Sequence, residues 1–195
     1  MKTSFVRRLI SYIIDMFIIS LIFSVITGDY NNNLDNYNKK LNNTMNDYID
    51  EKIDSYEYLD SYESIIYDGE KSSVYSNGIY LVLCVGYFVL FQYLNKGQTI
   101  GKRIMHIRII KEDGSNIRFI DMIIRTSFIN EILPGIISLI LILTCSKRIF
   151  FIGYTGISFI ENIVILISAI MLLCRKDGKA LRDIITKSMV IDERV

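Results

Sequence analysis

The sequence predicts an all-α membrane protein, a bundle of about four transmembrane helices with a short cytoplasmic hairpin. Apolar residues make up 51% of the 195 positions, and several apolar runs are long enough for helices that cross a bilayer. Charge is distributed unevenly, although the net charge is only +1. The segment 27–73 is acidic, whereas the N-terminus, the segment 95–119 and the tail 175–195 are basic. The positive-inside rule therefore predicts that both termini are cytoplasmic.

The first predicted span, 9–26, is an apolar run interrupted by a single charge, Asp15. A carboxylate inside the hydrocarbon costs roughly 3 kcal/mol or more, so Asp15 should face a protein partner and not lipid. Arg8 lies seven residues earlier, which places it on the same helical face. Two interpretations stay open. Asp15 binds or relays a cation, or it forms a salt bridge with Arg8 or Arg125 that fixes helix packing.

The segment 27–73 is predicted to be an acidic extracellular loop. It contains 11 acidic and four basic residues, together with eight asparagines and seven tyrosines. This composition indicates a solvated, poorly ordered loop. The spacing of Met45, Ile49, Ile53 and Tyr56 is compatible with one short amphipathic helix. As an alternative role, the loop would concentrate cations near the mouth of a pore.

A basic cytoplasmic loop, 95–119, follows the second predicted span, 74–94, and begins with GQTIGKR. This stretch is not a phosphate-binding loop. Only three residues separate Gly97 from Gly101, and Arg103 stands where serine or threonine would hold magnesium. Its glycines predict a tight turn out of the second span, with the two basic residues at its end on anionic headgroups.

A Glu-Asp-Gly-Ser turn at 112–115 lies in the second half of the same loop. Ile107 and Ile109 precede the turn, and Ile117 and Phe119 follow it. Apolar residues that alternate on both sides of such a turn predict a β-hairpin at the membrane surface.

The third predicted span, 120–145, should be kinked or broken, because Pro134 interrupts it. We interpret 120–131 as an amphipathic or partly buried helix that leads into a short span after the proline. Arg125 and Glu131 lie in its first half. The fourth span, 149–174, carries Glu161 in its interior. For both glutamates a structural or interfacial role is the leading interpretation.

Whether the stretch 132–145 crosses the membrane or re-enters decides where the tail lies. Four crossings place the basic tail 175–195 in the cytoplasm, which the positive-inside rule favours. Lys147 and Arg148 disagree, because four crossings put them in an outer loop.

Three motifs, in order along the chain, resemble those of the RDD family of membrane proteins: RRLISYIID at the N-terminus, GQTIGKRI with a following DG in the centre, and LRDIITKSMV near the C-terminus. The resemblance identifies the family's arginine as Arg8 and its two aspartates as Asp15 and Asp183. The central motif contributes Gly97, Gln98, Thr99, Gly101 and Lys102.

Two departures from the family pattern lie near the last aspartate. Arg182 stands where the family often has histidine, and Ser188 stands where it often has threonine. Neither change removes the arginine and the two aspartates for which the family is named. The resemblance implies a membrane bundle, and transport of an unidentified ligand is the role usually suggested for the family.

Several classes of site and protein are excluded or disfavoured by residue types and spacing. Cys84, Cys145 and Cys174 form neither a close pair nor a metal-type cluster, and His106 is the only histidine. No Ser-His-Asp or Cys-His arrangement can be assembled, so we expect no enzyme, no cofactor and no metal. The near-neutral charge gives no indication of nucleic-acid binding.

The leading functional expectation is transport or exchange of a small ion or solute through an intramembrane carboxylate, in a homo-oligomer at the cell membrane. Arg8, Asp15 and Asp183 are the candidate pathway or gating residues, with Asp183 brought towards Arg8 by a docked tail. Arg125, Glu131 and Glu161 are secondary candidates. The alternative is a scaffold or accessory subunit that binds a protein partner and transports nothing.

Overall fold

The computed structural model describes residues 3–28, 31–127, 130, 132–175 and 177–194. The second long helix contains a π-helical stretch, Val85–Phe91. The helices are α1 (Phe5–Thr27), α2 (Asn31–Ile49), α3 (Ser55–Ser72), α4 (Val74–Leu94), α5 (Ile100–Ile104), α6 (Phe119–Ser127), α7 (Ile132–Thr144), α8 (Lys147–Cys174) and α9 (Leu181–Ile185), and the strands are β1 (Ile107–Lys111) and β2 (Ser188–Asp192).

The prediction of a helical membrane protein is confirmed by the length and composition of these helices. The helices α1, α4 and α8 are each long and apolar enough to cross a bilayer. The pair α6–α7, bent by 69°, forms a fourth candidate span. Most of the apolar surface of α1 and α8 is exposed in the single chain, as expected for helices that face lipid.

A small antiparallel sheet marks one end of the bundle, which we call the sheet end. Strand β1 pairs with β2 from Ile107 opposite Asp192 to Lys111 opposite Ser188. The predicted β-hairpin within 95–119 is present as a single antiparallel bridge, Ile110 opposite Asn116. The turn forms, with the Lys111 N–H donating to the Ser115 carbonyl at 2.9 Å, but the partner strand comes from the tail. Phe119 starts α6, so the chain after the turn leaves the strand conformation almost at once.

The segment 27–73 forms a helical hairpin, α2 packed against α3, and the prediction of a poorly ordered loop is wrong. The chain reverses at Glu51, which has a positive φ of 57°, and Asp54 and Glu57 form a reciprocal capping box at the start of α3. The predicted amphipathic helix is also wrong in extent, because Ile53 lies in the turn and Tyr56 in α3. Ring contacts hold α3 on α8: Tyr62 against Phe151 and Tyr67 against Phe150.

The third candidate span is broken just before Pro134, and Asn130 lies in the break. Proline is the third residue of α7, where its missing N–H removes no helical hydrogen bond. The two separate helices agree with the prediction of one helix that leads into a short span, except that the second helix begins at Ile132, two residues before Pro134. Glu131 lies outside the described residues.

The start of α8 lies against α3, at the end of the bundle opposite the sheet. Lys147 pairs with Asp60 at 2.9 Å and donates to Ser64 at 2.7 Å. The α2–α3 hairpin thus supplies an acidic partner for Lys147. Lys147 is one of the two basic residues that four crossings would put in an outer loop, against the positive-inside rule. By length and composition, the bent pair α6–α7 is either a broken span or a re-entrant segment.

Candidate functional site

Asp15 lies on the buried face of α1, between Arg8 and Ser11 on one side and Ile19 on the other. These residues are spaced by three or four positions, so they form one stripe that faces the protein interior. Asp15 is only 1% exposed. The expectation that this acid faces protein and not lipid therefore agrees with the geometry.

The carboxylate of Asp15 accepts three hydrogen bonds from the second span and the loop that follows it. Tyr87 Oη donates to Oδ1 at 2.6 Å, and the Gly101 N–H donates to the same oxygen at 2.7 Å. Thr99 Oγ1 donates to Oδ2 at 2.6 Å. Thr99 is the N-cap of α5, so the carboxylate lies at the positive end of that short helix.

Close backbone approach explains why glycine stands at position 101. A Cβ on Gly101 would lie 2.2 Å from the carbonyl oxygen of Ser11 and 2.8 Å from Asp15 Oδ1. The helix α5 can reach α1 only because this side chain is absent. Tyr87 reaches the same carboxylate from the π-helical stretch of α4, a type of distortion that is frequent at functional sites.

The remaining residues of the central motif join the loop to the sheet end. Gly97 adopts φ of 94°, and a Cβ there would lie 2.3 Å from the carbonyl oxygen of Ile109. Gln98 Nε2 donates to the Ile107 carbonyl at 3.2 Å. Lys102 turns inward towards Arg125, so the expectation that it rests on lipid headgroups is wrong for this residue.

Asp183 sits between two arginines from different helices. Arg8 Nη1 lies 2.8 Å from its Oδ2, and Arg125 Nη2 lies 2.6 Å from its Oδ1. The Asp183 side chain is completely buried, and the two arginine side chains are almost so. Burial alone raises the pKa of Asp183, but Arg125, Arg182 and Arg8 outweigh that effect and lower the pKa to about 2.

Asp183 has a different helical position from the one expected. The sequence suggested a cap on a helix beginning at Ile184, whereas α9 begins at Leu181 and Asp183 is its third residue. From there its carboxylate accepts a hydrogen bond at 3.0 Å from the N–H of Ala180, the N-cap residue. Arg125 extends the network by donating to Ser188 Oγ, and it contacts Thr186 Oγ1 at 3.4 Å.

The three residues for which the family is named thus fall into two adjoining groups. Arg8 pairs with Asp183, which is the proximity expected of a docked tail. Asp15 lies two turns further along α1 and is bonded to the loop. Among the described residues Asp15 has no salt bridge within 4 Å, so the suggested pairing with Arg8 or Arg125 is absent there.

A small cavity at the sheet end, which we call the basic cavity, lies between these two groups. Its volume is about 30 Å³. Four cationic side chains line it together with Asp15 and Asn130: Arg8, Lys102, Arg125 and Arg182. Burial, opposed by Asp15 and reinforced by Arg182 and Arg125, lowers the pKa of Lys102 to about 7.

A larger cavity, the acidic cavity, lies between α4, α7 and α8 and has a volume of about 390 Å³. Glu70 and Glu161 line it together with amide and hydroxyl side chains, among them Asn77 and Ser158. Within the described ranges, no lysine or arginine lines this cavity. Asn77 donates to Glu70 at 2.9 Å, and burial raises the pKa of Glu70.

Sequence reasoning missed several residues that these sites use: Tyr87, Arg182 as a cavity residue, Glu70 and Asn130. The first two carry no pattern that distinguishes them from ordinary apolar-segment and tail residues. Glu70 was hidden in a segment interpreted as a loop. Asn130 lies four residues before Pro134, so a search for polar residues near a predicted helix break could have found it.

In the part of the chain that the structure describes, no three His, Cys, Asp or Glu side chains lie close enough together to hold a metal ion. Comparison with known proteins gives one match. The model of the RDD family matches residues 2–187, nearly the whole chain. No curated protein and no solved structure matches the chain.

Proposed function

The chain belongs to the RDD family of membrane proteins, and from this premise we propose that it carries a small cation or cationic solute across the bilayer. One observation carries the proposal. The acidic cavity and the basic cavity both reach Asn130, in the break of the third candidate span. Asn130 therefore lies between the two cavities at a broken helix, which is where membrane carriers commonly form their binding sites.

The chemistry of the acidic cavity favours a positively charged ligand. Glu70 and Glu161 supply carboxylates, and the amide and hydroxyl groups supply further oxygens. Ionisable residues within membrane segments are costly, and they commonly mark ion or substrate pathways. Glu161, which the sequence treated as a secondary candidate, becomes the leading ligand-binding residue in this proposal.

Asp183 and its two arginines close the path at the sheet end. Their ion pairs join α1, α6 and the tail, so a ligand that leaves the basic cavity at this end requires these pairs to separate. Asp15 holds the loop at 97–102 against α1 and lines the basic cavity. It is the acid that a cation would meet next after passing Asn130.

The orientation that we propose places the sheet end in the cytoplasm of the cell and the α2–α3 hairpin outside. The support is the excess of bases in 95–119 and in the tail, against the acidic excess in 27–73. We further propose a homo-oligomer, because four spans enclose little space for a transport pathway.

The test uses everted membrane vesicles from a host that lacks its main cation exchangers. After the vesicles are energised, Na⁺, K⁺ or Li⁺ is added and the pH gradient is followed. Wild type should dissipate the gradient with at least one cation, and Glu161→Gln should reduce the rate at least tenfold. Glu112→Gln is the control, because Glu112 lies at the sheet turn and pairs with Lys179 away from both cavities.

Equal rates for vesicles that contain the wild-type protein and vesicles that lack it would rule out cation–proton exchange. Wild-type activity that survives in Glu161→Gln would show that the acidic cavity is not the pathway.

The second candidate is the scaffold or accessory subunit, and one observation favours it. The carboxylates of Asp15 and Asp183 are both engaged in internal bonds, as expected of groups that hold a structure together. Asp15→Asn separates the two candidates. A carrier should lose flux while keeping its abundance in the membrane, whereas in a scaffold only assembly or abundance should change.

A further inference from the structure

The basic cavity contains more positive than negative charge. Four basic residues line it: Arg8, Lys102, Arg125 and Arg182. Of the acids, Asp15 lines the cavity and Asp183 pairs with two of its arginines. Below pH 7 four cations therefore face two carboxylates among the described residues, and above that pH, where Lys102 is neutral, three arginines still face them.

A third acid at this end does not balance the excess. Asp121 is buried, but it already pairs with Lys111 at 3.0 Å and with Arg118 at 2.9 Å. The two basic partners more than neutralise its single charge. The surplus at the basic cavity thus has no counter-charge from α6.

Unsatisfied donors also point to a missing partner. Arg8 is 92% buried, its Nη1 is paired with Asp183, and its Nε has no hydrogen-bond partner among the described residues. The Nε of Arg182 is likewise buried and without a partner in the same part of the chain. Both arginines line the cavity. A buried N–H donor that lacks an acceptor is costly, so such donors are normally hydrogen-bonded.

We propose that the basic cavity binds a monatomic inorganic anion, with chloride as the natural probe. The cavity volume is about 30 Å³, and one water needs roughly 10–15 Å³ on this measure. The space therefore suits a halide with one water beside it. A lipid headgroup, a nucleotide or an organic acid is far larger.

The anion would act as a counter-ion that holds the sheet end closed. It neutralises part of the surplus charge between α1, α5, α6 and the tail, which are the elements that supply the four cations. The site lies on the path proposed for the cation, where the anion would offset the positive charge that a cation meets at the sheet end. Anion binding is measured below without any transport assay, so failure of this inference can be told apart from failure of the proposed function.

The experiment measures the thermal unfolding midpoint of the purified full-length protein in detergent. Sodium chloride is titrated against sodium gluconate at constant ionic strength, since gluconate is too large for the cavity. In wild type, chloride at ten times its Kd should raise the midpoint by about 3–6 °C and the effect should saturate. A direct measurement, broadening of the chloride NMR line by the protein, should saturate over the same concentration range.

The informative variant is Arg182→Gln, because Arg182 donates from the cavity wall and forms no salt bridge within the described residues. It should lose the chloride-dependent shift while its midpoint in gluconate stays equal to or above that of wild type. Arg103→Gln is the matched control. Arg103 is an exposed arginine in α5 that does not line the basic cavity, so this variant should keep the full shift.

Each result bears on the proposal. Equal shifts in wild type, Arg182→Gln and Arg103→Gln would mean general salt stabilisation and would overturn it. The absence of any difference between chloride and gluconate in wild type would also overturn it. If Arg182→Gln does not accumulate, the wild-type titration and the NMR measurement decide on their own.

Discussion

At the scale of single residues, Asp15 is best understood through the three donors that surround it. Tyr87, Thr99 and Gly101 all donate to its carboxylate at 2.6–2.7 Å. A fully buried acid is tolerated in a membrane helix because these donors replace the water it loses. The sequence located the acid correctly on a protein-facing stripe, but the partners come from residues more than 70 positions away.

Gly101→Ala should strongly destabilise the protein. The new methyl group would meet the Ser11 backbone at 2.2 Å, and neither backbone segment can move without separating α5 from α1. We expect a loss of at least about 2 kcal/mol of stability, in the range of core overpacking, and lower abundance in the membrane. The measurement is the unfolding midpoint in detergent.

Gly156→Ala is the matched control for that substitution. Gly156 is also in a helix, and a Cβ there has nothing within 4 Å. This variant should be as stable as wild type or slightly more so, since alanine is the better helix former. Equal midpoints for the two variants would contradict the close approach at Gly101.

Lys102 makes stability depend on pH, and the direction follows from its lowered pKa. Its pKa is about 7 in the folded protein and 10.5 when unperturbed. The unfolded chain therefore binds this proton more readily, which penalises folding below pH 7, and the penalty disappears as the pH rises towards 10.5. Wild-type stability, measured in gluconate, should rise relative to Lys102→Met between pH 7 and 10. A constant difference between the two proteins over that range would argue against this assignment.

At the scale of elements, the tail is held to the bundle by the buried pairs at Asp183 and by the sheet. Strand β2 completes β1, and Thr3 Oγ1 donates to the Val190 carbonyl at 2.9 Å. Arg7 adds a salt bridge to Asp192 at the edge of the same assembly. The N-terminus, the central loop and the tail thus fold as one unit, although they are far apart in the sequence.

A double-mutant cycle tests whether Arg8 and Asp183 act together. Asp183→Ala removes the partner of two buried arginines, so it should cost about 3–5 kcal/mol, whereas Arg8→Ala leaves Asp183 paired with Arg125 and should cost less. The double variant should cost clearly less than the sum, with a coupling of roughly 1–3 kcal/mol. The same cycle on Arg103 and Asp183, which are not paired, is the control. Additive effects for Arg8 and Asp183 would show that the pair does not hold the tail.

The broken third span shows what local sequence signals can and cannot predict. Pro134 correctly indicated an interruption, because proline is poorly tolerated inside a helix. Its location near the start of α7, and the bend of 69° between α6 and α7, depend on packing against α4 and α8. The α2–α3 hairpin was missed for a related reason, since polar helices of this kind are stabilised by contacts with each other and with α8.

At the scale of the whole molecule, the arrangement of the helices predicts which cysteines face which side of the membrane. Cys145 lies in the turn between α7 and α8 at the end that carries the α2–α3 hairpin, and Cys174 ends α8 at the sheet end. In the proposed orientation, with the sheet end in the cytoplasm, a membrane-impermeant maleimide should label Cys145 but not Cys174 in intact cells, and Cys174 should become reactive in everted vesicles.

The labelling is done on proteins that each keep a single cysteine, so that each signal belongs to one position. The protein that keeps only Cys84 is the unreactive reference, because Cys84 is buried. A cysteine introduced at the exposed position Ser4 marks the sheet end and should behave like Cys174. If Cys145 instead labelled from the same side as position 4, the third span would re-enter the membrane without crossing it.

The sequence by itself determined that this is a helical membrane protein, where its apolar spans lie and which charged residues interrupt them. These properties are local, since they depend on the length of apolar runs and on charges counted along the chain. Only the tertiary structure decided that Arg8 pairs with Asp183, that Asp15 anchors the loop at Gly101, and that Asn130 lines two cavities. Those contacts join residues distant in sequence, and their geometry depends on helix packing, a π-helical stretch and close backbone approach, none of which has a local signature.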